Sequence, residues 1–168
     1  MTHPARVRSG EDGFTLIEVL VTLVLASALM AMAVGGWIAF QRAHAEADTA
    51  REVAGVLRQA QVRAQAEDAT YRVDFGSSTT THYSLYKYGG TSWTLIKSFT
   101  TRDSSVKLSG ASFASISGDP AEPNTTSCYF FGRGTATKGS VTVQRDGSSK
   151  TYQINVEGFT GRVQYDNS

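Results

Sequence analysis

Cysteine is almost missing from these 168 residues. The single thiol, Cys128, has no partner within the chain, so an internal disulfide is excluded. Two readings of it stay open, a buried free thiol or one half of an intermolecular bridge. Histidine is scarce as well: His3, His44 and His82 are too scattered to give metal-ligand spacing, and Cys128 has no evident histidine partner. Gly132-Arg133-Gly134 lacks the strand–glycine–helix setting of a dinucleotide fingerprint, and Lys138-Gly139-Ser140 is not a phosphate loop. With these parts lacking, no catalytic residue, metal or cofactor is expected, and the chain is not read as an enzyme. Charge of one sign is missing too. Lys and Arg number 16 against 15 acids, a net charge of +1, which argues for neither nucleic acid nor an acidic partner.

Two further absences are informative in the opposite sense. No proline lies between Phe14 and Glu67, and no charged side chain lies between Val19 and Gln41. A helix over the charge-free residues would extend roughly 34 Å, enough to cross a hydrocarbon core. One acid, Glu18, stands at the start of that run with no cation inside its own helix to answer it. A carboxylate costs about 2–3 kcal/mol at the centre of a bilayer and less at its edge, a cost usually met by a partner. The partner therefore has to come from outside the chain. Ahead of the run, residues 1–13 are polar, with Arg6 and Arg8 followed by Glu11 and Asp12. The two arginines favour a cytoplasmic amino terminus, with the rest of the chain on the other side.

Beyond the apolar run, residues 41–67 continue as an amphipathic helix. Val53, Val56, Leu57, Ala60 and Ala64 recur at three- and four-residue steps and form one stripe. Glu46, Asp48, Arg51, Glu52, Arg58 and Arg63 lie mostly off it; Arg58, Arg63 and their neighbours read as a solvated face, with subunit contacts as the second possibility. The stripe is thin and needs a sheet to pack on. After Asp68, β-branched and aromatic residues dominate, and strands are expected over 70–75, 81–88, 91–99, 106–108, 128–131, 140–145, 151–156 and 161–165. Gly89-Gly90 and Asp146-Gly147 read as hairpin turns, and residues 110–126, rich in Ser, Gly, Pro and Asn, as an exposed loop. About 100 residues remain for this part, one domain with a modest core.

The segment Gly13-Phe14-Thr15-Leu16-Ile17-Glu18, leading an unbroken apolar helix, closely resembles the processing site of type IV pilins and type II secretion pseudopilins. The resemblance implies cleavage after Gly13 by a prepilin peptidase and methylation of the new amine of Phe14. It also implies that Glu18 pairs with the amino terminus of a neighbouring subunit, as the helix passes from lipid into the core of a fibre. Other pilin or pseudopilin subunits and an inner-membrane assembly platform would be the partners. The protein would be a single-pass inner-membrane precursor with its globular part outside the cytoplasm, and later part of a periplasmic or cell-surface fibre. Many pilins carry a proline where this helix has Gly35-Gly36. The pair could loosen the helix on assembly or let another helix approach closely, and both readings stand.

Val53-Ala54-Gly55-Val56-Leu57-Arg58-Gln59-Ala60-Gln61, then Tyr71-Arg72-Val73-Asp74-Phe75, resemble minor pilins of the GspH/FimT type. So do Phe131-Gly132-Arg133-Gly134-Thr135-Ala136 and Gly158-Phe159-Thr160-Gly161-Arg162-Val163. The absent cysteine pair also favours a minor over a major subunit. Members tied to natural transformation bind DNA through basic residues at the C-terminal end, which here would be Arg162, with Gln164 in place of a second arginine. Residues 69–168 hold ten Lys and Arg against seven acids, a modest excess for releasing phosphate counterions. Tyr86, Tyr88 and Trp93 near Lys87 could stack bases or simply pack. Asp119, Glu122 and Asn124 could hold calcium, as in some pseudopilins, but lack EF-hand spacing and are better read as a polar turn.

The expected fold is α+β: a long N-terminal helix, transmembrane in one half and amphipathic in the other, packed on an antiparallel sheet. Residues 1–13 are the leader, 14–40 the membrane or fibre-core helix, 41–67 its amphipathic continuation and 68–168 the β-rich domain. The expected function is that of a minor pilin or pseudopilin. A DNA-binding minor pilin and a membrane-anchored binding module are the alternatives.

Overall fold

The computed structural model describes residues 14–76, 79–116 and 125–167. The helix α1 runs over Leu16–Glu67 and spans 52 residues without interruption, as the lack of proline allows. It ends where its last carbonyls are satisfied from beyond. Asp68 takes a left-handed φ of 43°, and the Ala69 N–H donates to the Ala64 carbonyl at 3.1 Å, the closing bond of a Schellman-type cap. Two compact units divide the chain between Gln41 and Arg42, and each is described by itself.

In the first unit the helix carries a stretch, Leu16–Ile38, long and apolar enough to cross a membrane. Its hydroxyls are satisfied locally: Thr22 Oγ1 donates to the Val19 carbonyl and Ser27 Oγ to the Val24 carbonyl, both at 2.8 Å.

In the second unit the helix meets eight strands: β1 (Tyr71–Asp74), β2 (His82–Tyr88), β3 (Trp93–Thr100), β4 (Val106–Phe113), β5 (Ser127–Phe130), β6 (Gly139–Arg145), β7 (Thr151–Val156) and β8 (Val163–Asn167). They form not one sheet but two, each of four antiparallel strands, in the orders β3-β2-β1-β5 and β4-β6-β7-β8. A bridge between Thr80 and Leu108 ties the first sheet's loop to the second. Both turns foreseen between strands are present. Gly90 and Gly147 adopt φ of 93° and 78°, and the Ser148 N–H closes the β6–β7 turn on the Arg145 carbonyl at 3.0 Å.

The expected helical stripe is the core of this unit. Val53, Leu57 and Ala60 are fully buried, joined by Val56 and Ala64, and they share one cluster with Val73, Leu85, Leu108, Val141 and Ile154 from both sheets. Stacked rings extend it: Phe75 lies 6.1 Å from Tyr83 and 5.9 Å from Phe113.

Two expectations need correcting. The strand expected over 106–108 runs on to Phe113, so the loop expected from residue 110 starts later. A bulge between Ser109 and Ser112 takes up Gly110 (φ 59°) and Ala111, and pairing then resumes from Ser112 to bury Phe113. That irregularity hides the strand's alternation among small polar residues. Glu46 is expected off the apolar stripe. It is buried and meets Arg145 at 3.3 Å, because it lies one turn before Thr49 and Ala50 on the buried line of the helix.

Candidate assembly and processing site

Thr15 stands one residue before the helix and acts as its cap. The Glu18 N–H reaches the Thr15 hydroxyl at 3.3 Å and the Thr15 carbonyl at 3.0 Å, and the Val19 N–H donates to that same carbonyl at 3.2 Å. Thr15-Leu16-Ile17-Glu18 thus has the spacing of a capping box, a signal available in the sequence and not used there. The cap places Phe14 outside the helix, 82% exposed. Gly13, the expected cleavage residue, lies outside the described residues. Glu18 is exposed in the first turn, the single acid there. Leu16, Ile17, Leu20, Leu23, Leu29 and Met32 are all more than half exposed. A fully buried side chain of this size contributes about 1.5–3 kcal/mol, so such a surface needs lipid or other helices around it.

The C-terminal basic region lies in the second unit. Arg162 is exposed, and Gln164, with its amide oxygen turned toward the guanidinium, accepts from Nη2 at 2.9 Å and Nε at 3.3 Å. The aromatic platform considered for bases is otherwise occupied. Arg72 lies over the Tyr86 ring at 4.8 Å and the Trp93 ring at 4.5 Å. Trp93 also meets Tyr88 and, edge-on, Tyr129. Lys87 is held by Glu67. These rings pack on an arginine of their own sheet and do not form an open stacking surface.

Of the two readings of Cys128, the buried free thiol holds. Its Sγ lies 3.8 Å from the Thr137 carbonyl, and burial pushes the thiol pKa well up. Asp119, Glu122 and Asn124 lie outside the described residues. Among the described residues no group of three or more His, Cys, Asp or Glu is placed to hold a metal. A hollow of about 220 Å³ beside Lys107, Gln144, Arg145 and Asp146 is smaller than ordinary small-molecule sites. Its cations are already paired, Lys107 with Asp146 and Arg145 with Glu46.

The segments around Gly132 and Gly161 clasp the helix. Gln61 Nε2 donates to the Thr160 carbonyl at 2.9 Å and Arg58 Nη2 to the Val163 carbonyl at 3.2 Å. A Cβ on Gly132 would strike Asp68 Oδ1 and come within 2.9 Å of the Asp68 Cα. The helix end and the turn at Gly132 therefore approach this closely only because that position carries no side chain.

Residues 49–160, most of the globular part, match the family described as Type II transport protein GspH. The chain belongs to the GspH family. Residues 8–34 match the prokaryotic N-terminal methylation motif, covering Gly13, Phe14 and Glu18. Among solved structures, the minor pseudopilin EpsH of the Vibrio cholerae type 2 secretion system is similar, with a TM-score of 0.55 and 12% identity over 72% of this chain and 95% of that one. The type IV minor pilin FimU of Pseudomonas aeruginosa gives a TM-score of 0.55 and 13% identity, over 76% of this chain and 92% of that one. At such identities the likeness is one of fold. No curated protein shows significant sequence similarity to this chain. GspH membership and the methylation motif together make this GspH chain a minor subunit of the pilin and pseudopilin class, a class of structural proteins.

Proposed function

We propose that this GspH-family chain is made as a membrane-anchored precursor and cut after Gly13 by a prepilin peptidase. Phe14 is then methylated on its new amine, and the subunit is built into a thin fibre through α1. Leu16–Ile38 holds the precursor in the inner membrane, with the globular part outside the cytoplasm. The assembly platform passes it to a periplasmic or cell-surface fibre, where Glu18 pairs with the amine of a neighbouring subunit.

The observation that supports this reading is the capped start of α1. A single carboxylate leads a helix whose apolar side chains are exposed throughout Leu16–Ile38, and that carboxylate and the start of the helix lie within a methylation motif. A lone acid there gains from a cation supplied from outside, and a freshly cut amine supplies one. Co-expression with a prepilin peptidase should shorten the chain by residues 1–13, read by intact mass. Gly13→Leu should block the cut, and normal processing of that variant would contradict the site.

A further inference from the structure

Phe159 is 95% exposed, the most exposed large apolar residue outside the membrane stretch. It is not on a loose loop. The Glu157 N–H donates to the Arg162 carbonyl and the Gly161 N–H to the Glu157 carbonyl, both at 3.0 Å. Thr160 Oγ1 donates to Glu157 Oε2 at 3.1 Å. The Gly158 carbonyl accepts from the Ala136 N–H at 2.8 Å, and the Thr160 carbonyl accepts from Gln61. The turn is bonded on every side, while its aromatic ring stands in solvent.

The charge around it is uneven. Arg133 adjoins Gly134, whose carbonyl would be 2.9 Å from a Cβ on Gly161, and the Lys138 Cβ would be 3.5 Å from one on Gly158. Arg162 closes the turn itself. Elsewhere on this unit Arg51, Lys87, Arg102, Lys107 and Arg145 each have a carboxylate partner. Arg133, Lys138 and Arg162 have none among the described residues, as is also true of Arg58, Arg63, Lys97 and Lys150, but these three are exposed and gathered at one turn.

We propose that this turn is a docking surface for a different protein subunit, one presenting an apolar socket rimmed by carboxylates. An exposed aromatic on a rigid turn is the form of an interface anchor, with little ordering cost left to meet. Three cations without a carboxylate of their own select an acidic rim and steer the encounter. A second copy of this chain is less favoured, because Glu46, Asp48, Glu52, Glu67 and Asp146 are already committed to its own cations, leaving few exposed acids, Asp68 among them, without one. Nucleic acid fits poorly as well. Three cations would release few phosphate counterions, and one ring offers no run of stacking platforms. The proposal rests on the reading of the chain as a fibre subunit and names the chemistry of its neighbour.

The test uses the full chain in its native host, with Phe159→p-benzoylphenylalanine as the photoreactive probe and intact mass to follow loss of residues 1–13. The expected adduct joins position 159 to an acid-rich segment of a different protein carrying its own N-terminal methylation motif. Its yield should fall about tenfold with Arg133→Glu and Arg162→Glu together, and in the same direction with Lys138→Glu. These surface variants should keep the parent's melting temperature. An adduct to a second copy, a nuclease-sensitive adduct, an adduct indifferent to charge reversal, or no adduct from processed chain would each overturn the proposal. Failure of the fibre-subunit reading has its own signature, retention of residues 1–13.

Discussion

Arg145, at the end of β6, lies 3.3 Å from Glu46 on α1, a carboxylate with only 3% of its surface exposed. The pair joins residues 99 apart in sequence and lets an acid occupy the buried line of the helix. Removing one partner of a buried pair costs more than removing both, since the survivor stays desolvated and alone. Arg145→Met should therefore lower stability by about 3 kcal/mol, and Glu46→Leu combined with Arg145→Met should recover most of it. Urea unfolding of the single and double variants in detergent decides this, and equal losses in both would contradict it.

The glycines beside the helix end make a second prediction. Gly161 has φ 63°, and a Cβ there would be 2.7 Å from Gln61 Nε2 and 2.9 Å from the Gly134 carbonyl. Gly161→Ala combines a left-handed penalty with a backbone clash and should cost about 2–3 kcal/mol. Gly55, which is exposed and has nothing near it, serves as the control. Gly55→Ala should stabilise the helix by about 1 kcal/mol. Thermal melts that move the two variants in the same direction would refute the account.

Where physics is local, the sequence could be read directly. The charge-free run, the stripe Val53, Val56, Leu57, Ala60, Ala64 and the two hairpin turns all follow from neighbours within a few residues. What stayed hidden depends on distant parts of the chain. Glu46 reads as a surface acid until Arg145 is brought to it. The outer half of β4 is masked because a bulge at Gly110 and Ala111 breaks its alternation. Tyr86 and Trp93 leave stacking and packing both open until Arg72, on another strand, is seen to lie over them. At the candidate processing site, the motif alone singles out Phe14 and Glu18. The capping role of Thr15 was equally local, and its spacing to Glu18 was the signal overlooked.

The end of the helix is tied to β2 by a pH-sensitive contact. Glu67 bonds Lys87 and Tyr71, which holds its carboxyl below the usual range near 4.5. A lowered acid contributes stability that is present above its unfolded pKa and is lost as pH falls through the folded value. Tyr71 is shifted the other way, its pKa pushed up from 10.0 to about 12 by burial and then by Glu67. Its contribution is present below pH 10 and is lost as pH rises toward 12. Melting temperature should therefore drop at both extremes. Glu67→Gln should flatten the acid limb, and Tyr71→Phe should flatten the alkaline one. Unchanged limbs in the two variants would remove these groups as the cause.

Thr15 makes the last prediction, on the first turn of α1. Its hydroxyl accepts the Glu18 N–H at 3.3 Å, and losing such a cap costs about 1 kcal/mol. Thr15→Val keeps the shape and removes the acceptor, so fraying should advance from Leu16 into the first turn. Amide hydrogen exchange in micelles should then accelerate at Glu18 and Val19, the two amides bonded to Thr15, by about fivefold, the equivalent of that 1 kcal/mol. Exchange at Leu29, well inside the helix, should stay as it was. Thr15→Ser restores the acceptor and should restore slow exchange, since serine caps at least as well as threonine. If the valine and serine variants exchange alike, the hydroxyl does not cap the helix, and what keeps Phe14 outside it lies elsewhere in the chain.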